Sequence, residues 1–190
     1  MAGLLGMESG LFVPSGTMSN AVAVRTHTQP GDEIITEEHS HLYVYEGGGY
    51  AALSGCSIAL VPGDHGLVNP KEIKKRIRKS EGSQSHFPNA SLICLENTSN
   101  RGGGTCYRLE TLNEIGDIAR ESDCRMHLDG ARLFNAVVAS GNSASELVAS
   151  LIRCRFVYQK AWVHLWEVYW LVPSHLSRKL IAGGKCLVAG

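Results

Sequence analysis

Residues 125–141, RMHLDGARLFNAVVASG, pass from an apolar run into a helical pattern across one short turn. Read as a buried strand, RMHLDG, followed by a helix, ARLFNAVVASG, they form one unit of an α/β fold. The same stretch sets the carboxylate of Asp129 and the guanidinium of Arg132 close together where the strand ends. There Asp129 can accept a hydrogen bond from a heteroaromatic N–H and keep that ring nitrogen protonated, while Arg132 can donate to a phenolate-type oxygen. A pyridinium held in this way is an electron sink. The plainer alternative is an Asp that caps a helix starting at Ala131, with Arg132 on that helix's surface.

Working outward, GLFVPSG, DEIITEE, SIALVPG and SLICLEN read as strands, and TMSNAVAVRTHT, PKEIKKRIRK and ETLNEIGDIARES read as helices. Such alternation predicts an α/β domain with a mainly parallel sheet flanked by helices. The connectors EGGGY at 46–50 and NRGGGT at 100–105 fall where loops at one rim of that sheet would lie. In open α/β sheets that rim is where ligands bind.

The 190 residues suffice for one sizeable core, or for a domain and a half, and 44% hydrophobic with 19% charged residues is an ordinary globular composition. Eighteen basic and 18 acidic residues leave no formal net charge. The basic run KKRIRK at 74–79 sits in a helical pattern and is expected to face solvent, so neither nucleic acid nor an anionic membrane is implied as a partner. The six cysteines are scattered without a CxxC pair. They read as reduced, mostly buried thiols of an intracellular protein, and no metal site follows from them. No stretch approaches the roughly 18 apolar residues of a membrane span, and the apolar start lacks a cationic leader, so a cytoplasmic location is expected. A first residue followed at once by mid-domain sequence suggests that an N-terminal segment is missing.

Three further segments carry site chemistry. In VPSGTMSN, Gly16 and Thr17 stand at a strand-to-helix turn, where free N–H groups and the Thr17 hydroxyl can bind a phosphate, or where the Ser-Gly-Thr run merely caps the helix. In EEHSHLYVYEGGG, His41 can stack on a flat ring or handle a proton near neutral pH, or be an ordinary satisfied histidine. ICLENTSNRGGGT brings Glu96 and Asn97 to the end of an apolar strand, where buried polar groups need partners.

Together these blocks run in the order S-G-T-M-x-N, H-x-Y-x-Y/F-E-G-G, L-E-N-T-x-N and H-L-D-G-A-R-x-x-N-A, from Leu4 to about Ala149. That set resembles the β-eliminating lyase family, most closely the low-specificity L-threonine aldolases, which are fold-type I pyridoxal-phosphate enzymes. The resemblance implies that residues 1–150 form part of a pyridoxal-phosphate-binding large domain. It implies phosphate contacts from Gly16 and Thr17, ring stacking and substrate contact from His41, and Glu96 close to the cofactor as a supporting residue. It also makes Asp129 the partner of the pyridine nitrogen and Arg132 that of the ring oxygen. The implied reaction is cleavage of L-threonine, or a similar β-hydroxy amino acid such as L-allo-threonine, to glycine and acetaldehyde in a homo-oligomer, dimer or tetramer. His41, or a water it holds, is the expected base.

One position inside the matched region departs from the family. The family usually has His where this chain has Ser99, which removes a second imidazole near the substrate hydroxyl. Beyond about residue 150 the likeness ends. A pyridoxal-phosphate lyase needs a lysine to carry its cofactor. In the family that lysine lies in a segment like S-V-S-V-C-L-S-K-G-L-G-A-P-V-G-S. Here the chain reads IRCRFVYQKAWVHLWEVYWLV and shares only Lys160, which keeps the family's spacing from Asp129.

Codons compatible with this stretch, read one base earlier, permit the family segment, and RKLIAGGKCLVAG likewise permits K-A-x-R-W-R-K-M-L-G-G-G. Residues 151–190 are therefore expected to be an aberrant tail, out of frame after a one-base slip near Ala149 to Leu151. The three tryptophans of that tail, Trp162, Trp166 and Trp170, are spaced like a helical stripe, but under this reading they are a by-product of the slip. Weak or absent activity is expected of such a chain. The alternatives are a non-catalytic subunit that associates with full-length enzyme, or another amino-acid β-eliminating lyase.

Overall fold

In the computed structural model, which describes residues 2–7, 9–81, 85–149, 155–159 and 168–172, the apolar runs become strands of one mixed sheet. In chain order these are β1 (Ser9–Val13), β2 (Glu33–Glu37) and β3 (Ser57–Val61), then β6 (Ala90–Glu96), β7 (Arg125–Asp129), β8 (Arg155–Gln159) and β9 (Val168–Val172). Between β3 and β6, β4 (Gly63–Asp64) and β5 (Leu67–Val68) pair as a separate small hairpin. The helices are α1 (Gly16–His27), α2 (His41–Val44), α3 (Gly49–Ser54), α4 (Pro70–Arg76), α5 (Leu109–Glu121), α6 (Leu133–Ser140) and α7 (Ala144–Ala149).

The sheet order is β1-β9-β8-β7-β6-β2-β3. From β3 through β8 neighbouring strands are parallel, while β9 runs antiparallel to both β8 and β1. The mainly parallel sheet expected from the alternating pattern is therefore present. Its central strands explain themselves: all five residues of β2 are buried, as is most of β6, because helices cover both faces.

Side chains alternate between those faces. Ile34, Leu92 and Cys94 join Val24 of α1 and Leu42 of α2 in one core. Ile35, Ile93, Leu95, Met126 and Leu128 pack in a larger core with Leu112 and Ile115 of α5, Leu133 of α6 and Leu147 of α7. His127, between Met126 and Leu128, is turned by the same alternation toward α1.

The strand order reverses after β3. The chain steps from β2 outward to β3, then returns to the other side of β2 as β6 and continues to β7. The loops leaving β2 and β6 therefore diverge, opening a crevice at their C-terminal ends, which is where such sheets bind ligands.

Several local expectations need correction. The helix expected from Ala131 starts at Leu133, because residues 131 and 132 form a turn. The helix expected through Lys79 ends at Arg76, so the basic run splits. Lys74, Lys75 and Arg76 are exposed, but Arg78 turns inward to pair with the buried Glu33, and Lys79 Nζ donates to the Ala90 carbonyl at 2.7 Å. A buried carboxylate needs a partner, and that need overrides the helical pattern. Trp170 lies in β9, so a single helix does not carry the tryptophan stripe. Trp162, Trp166 and Lys160 lie outside the described residues. Cys56, Cys94 and Cys124 are buried free thiols, as expected, and Cys106 is half-buried. Among the described residues no helix is long and apolar enough to cross a membrane.

Ile93 is fully buried at the centre of the larger core. Ile93→Ala should cost about 2–5 kcal/mol of stability. In urea unfolding this appears as a lower midpoint at unchanged slope; a shift within error would show that Ile93 is not packed in the larger core.

Candidate active site

The parallel register of β6 with β7 sets Glu96 directly beside Asp129 at the C-terminal rim. On the next strand, Val157 of β8 is aligned with Asp129, and β8 ends at Gln159, the residue before Lys160. From the other side of the crevice, α2 begins at His41, four residues after β2 ends. The His41 backbone N–H donates to Glu96 Oε2 at 3.1 Å, which ties the two walls together. His41, Glu96 and Asp129 thus line one cleft, together with Asn20, Thr36 and His127.

Gly16 and Thr17 open α1, the helix that carries Asn20 into the cleft. Ser15 caps it: its hydroxyl accepts from the Met18 N–H at 3.1 Å, and its carbonyl accepts from the Ser19 N–H at 3.0 Å. Those two bonds take the third and fourth N–H groups of the helix. Helix geometry gives the Gly16 and Thr17 N–H groups no intrahelical acceptor, so they point outward at the positive end of α1. Asn20 lies one turn along, about 6 Å by helical rise.

Asn20 is almost wholly buried and organises the cleft floor. Its Nδ2 donates to Asp129 Oδ2 at 2.8 Å and to Glu46 Oε1 at 2.7 Å. Carboxylates only accept, so the amide nitrogen must face them, and Oδ1 must face His127 Nε2 at 2.8 Å. His127 therefore carries a hydrogen on Nε2. The same logic fixes His41, whose Nδ1 donates to Glu46 Oε1 at 3.0 Å. When the imidazole is neutral, its free lone pair is on Nε2.

The electrostatics follow from crowding of acids. The hydrogen bond to Glu46 raises the His41 pKa above its usual value; partial burial opposes this, and the charges of Asp129, Glu46 and Glu96 add to it. Burial raises the Glu96 pKa, and the Asp129 charge beside it raises it further. Glu96 is nonetheless well held, because Oε1 also accepts from the Asn100 N–H at 2.9 Å.

Arg132 stands outside the cleft floor, at its rim. Its guanidinium donates to Asn100 Oδ1 at 2.7 Å, so the loop after β6 aims it. That loop is in turn locked to the β4–β5 hairpin. Thr105 Oγ1 donates to the His65 carbonyl at 2.6 Å, and Ser99 Oγ accepts from the Gly102 N–H at 3.1 Å. A Cβ on Gly66 would stand 2.0 Å from Ser99 Oγ, and one on Gly102 1.8 Å from the His65 oxygen, so both positions require glycine. The Ser99 side chain is thus directed to the loop's own interior. In the same loop Asn97 Nδ2 and Thr98 Oγ1 are buried and have no hydrogen-bond partner among the described residues.

Of the residues singled out from sequence, His41, Glu96 and Asp129 meet in one cleft. Gly16 and Thr17 stand at the start of the helix that supplies Asn20, and Arg132 stands at the rim. Asn20, Glu46, His127 and Asn100 were missed as site residues. Asn20, Glu46 and His127 lie inside the quoted blocks, at the last position of S-G-T-M-x-N, before the paired glycines, and at the head of H-L-D-G. Their polarity in apolar or turn contexts was the available signal.

The model of the β-eliminating lyase family matches residues 1–160. A low-specificity L-threonine aldolase of Arabidopsis thaliana is 40% identical over 150 residues, which is 78% of this chain and 42% of that protein. The low specificity L-threonine aldolase of Escherichia coli K12 is 38% identical over 146 residues, 77% of this chain and 42% of that one. The chain therefore spans about two fifths of the length of these curated relatives. Among solved structures, a Leishmania major threonine aldolase superposes with a TM-score of 0.79, covering 96% of this chain and 54% of its own. At 21% identity that likeness speaks for the fold alone.

The His41–Glu46 bond gives a signed pH effect. A histidine whose folded pKa is raised adds stability that is complete below its unfolded value and lost as pH rises through the folded one. Glu46→Gln should therefore lower the thermal midpoint in mildly acid solution, and the two curves should converge in alkaline solution. Parallel curves across that range would show that Glu46 does not hold the imidazolium.

Proposed function

The chain belongs to the β-eliminating lyase family, and from that premise we propose that it is a pyridoxal-phosphate-dependent carbon–carbon lyase of the threonine aldolase type. Its substrate is L-threonine or L-allo-threonine and its products are glycine and acetaldehyde. The observation that supports this best is the Asp129 carboxylate at the end of β7. Asn20 and the Ala131 N–H, at 3.2 Å, hold it in a cleft that also contains an imidazole. The names of the relatives in Arabidopsis and Escherichia coli point the same way.

The donor set fits the cofactor. The Gly16 and Thr17 N–H groups and the Thr17 hydroxyl would take its phosphate at the positive end of α1. Asp129 would accept from the ring N–H, Arg132 would donate to the ring oxygen, Glu96 would support the site from beside it, and Lys160 would carry the cofactor. When bound, the cofactor supplies an electron sink for the bond that breaks.

The chain's own residues do the rest. Asp129, as an anion, keeps the ring nitrogen protonated. His41 stacks on the ring and, from Nε2, accepts the proton of the substrate β-hydroxyl directly or through a water. Glu46 on Nδ1 fixes the tautomer that leaves Nε2 available. Because its proton acceptor must be neutral, the rate should rise with pH through the raised His41 pKa.

We also read residues 151–190 as a tail that departs from the family after a slip of reading frame. The likeness to relatives runs over about 150 residues, and Lys160 is flanked by bulky residues in QKAWVHLW instead of glycines. Turnover by this chain is accordingly low, since displacement of reacting groups by about 1 Å can cost on the order of a hundredfold in rate. The working form is a homo-oligomer in the cytoplasm.

Adding pyridoxal phosphate to the purified chain should produce the visible absorbance of the lysine-bound cofactor, and Lys160→Ala should abolish it. Threonine should then release acetaldehyde and glycine in equal amounts, slowly, and faster as pH rises. A chain that develops no such absorbance is not a pyridoxal-phosphate enzyme, and a product other than acetaldehyde would assign it to another β-eliminating lyase.

A further inference from the structure

The floor of the cleft holds two carboxylates close together. A side-chain oxygen of Glu46, one of Asp129 and a ring nitrogen of His41 all lie within 4.8 Å of one another. The Glu46 side chain is only 5% exposed, so water screens little of the repulsion. Between the two acids stands a single amide, with both of its hydrogens in use: Asn20 Nδ2 donates to Glu46 at 2.7 Å and to Asp129 at 2.8 Å. Its carbonyl oxygen is fixed from behind by His127 Nε2 at 2.8 Å, so the amide cannot flip without facing its oxygen toward two anions.

We propose that Asn20 is a positioning residue that lets Glu46 and Asp129 remain ionised side by side, by dividing one amide NH2 between them. Both acids need that state for the roles given above, and to that extent the inference rests on the pyridoxal-phosphate reading. Asp129 must be an anion to hold a protonated ring nitrogen, and an ionised Glu46 can only accept, which keeps the hydrogen of His41 on Nδ1. Two carboxylates that share a site without donors between them repel each other when both are charged. A charge-assisted bond to each removes that conflict.

Among the described residues no other side chain bonds to both acids. His41 bonds to Glu46 alone, and Glu96 adds negative charge beside Asp129 and bonds to the His41 and Asn100 N–H groups. The Ala131 N–H reaches Asp129 Oδ1 and does nothing for Glu46. Asn20 is therefore a side-chain link between Glu46, which holds the imidazole, and Asp129. An aliphatic residue of equal size would keep the packing of α1 and lose the link.

The test uses the full chain without cofactor. Urea midpoints of the parent and of Asn20→Leu are compared from acid to neutral pH, alone and with Glu46→Gln. Glutamine at 46 still accepts from His41 but carries no charge. The midpoint deficit of Asn20→Leu should widen as pH rises and both acids ionise, and Glu46→Gln should abolish most of that widening. A deficit that is constant with pH, or unaffected by Glu46→Gln, would mean that Asn20 merely fills space and would overturn the proposal.

If Asn20→Leu does not fold, the parent chain decides by NMR. The two Asn20 Nδ2 protons should both lie downfield of ordinary side-chain amides and move as the carboxylates titrate; ordinary, pH-insensitive shifts would overturn the proposal equally. The absorbance change with pyridoxal phosphate reports separately. Its failure would remove the functional reading, while the pH-dependent deficit would still stand or fall by itself.

Discussion

The parallel pairing of β6 with β7, in the register that sets Glu96 beside Asp129, is the constraint from which the cleft follows. A slip of one residue would turn each strand's inward set outward, because side chains alternate strictly along a strand. Ile93, Leu95, Met126 and Leu128 would leave the larger core, and His127 would leave Asn20. The hydrophobic cost of that exchange is what fixes the two acids at the rim. The reversal of strand order between β3 and β6 then brings His41 across from the other side of the crevice.

The polar groups so gathered would repel one another without internal donors. The chain supplies backbone N–H groups to Glu96 from His41 and Asn100, a backbone N–H to Asp129 from Ala131, and a side-chain amide shared by Asp129 and Glu46. Buried polar groups are satisfied in this way in most folded proteins.

Support for the rim comes from an unrelated part of the chain. The hairpin of β4 and β5 grips the loop after β6 through His65, Gly66, Ser99, Gly102 and Thr105. Tyr107, buried at the end of that loop, receives a hydrogen bond from the Val68 N–H at 2.9 Å and donates its own N–H to Asn97 Oδ1 at 3.3 Å. Burial pushes its hydroxyl pKa well upward, so it stays a neutral acceptor at any ordinary pH. Asn100 and, through it, Arg132 are aimed by this clamp.

The sequence by itself determined the α/β class, the main strands and helices, and the residues at the strand ends, because hydrophobic period and turn composition are local properties. The blocks around Gly16, His41, Glu96, Asp129 and Arg132 were legible for the same reason, each being a short run with its own chemistry. The partners of those residues were not legible. That Asn20 serves Asp129 across 109 positions, or that Arg78 leaves its helix for Glu33, depends on which strands lie side by side. Ser99 shows the same limit: as a sequence it marked a missing imidazole, and only the approach of Gly66 showed that the side chain is spent on closing a loop. Hydrogen bonds between distant residues are decided by tertiary packing, since burial is what makes an unpaired polar group costly enough to select its partner.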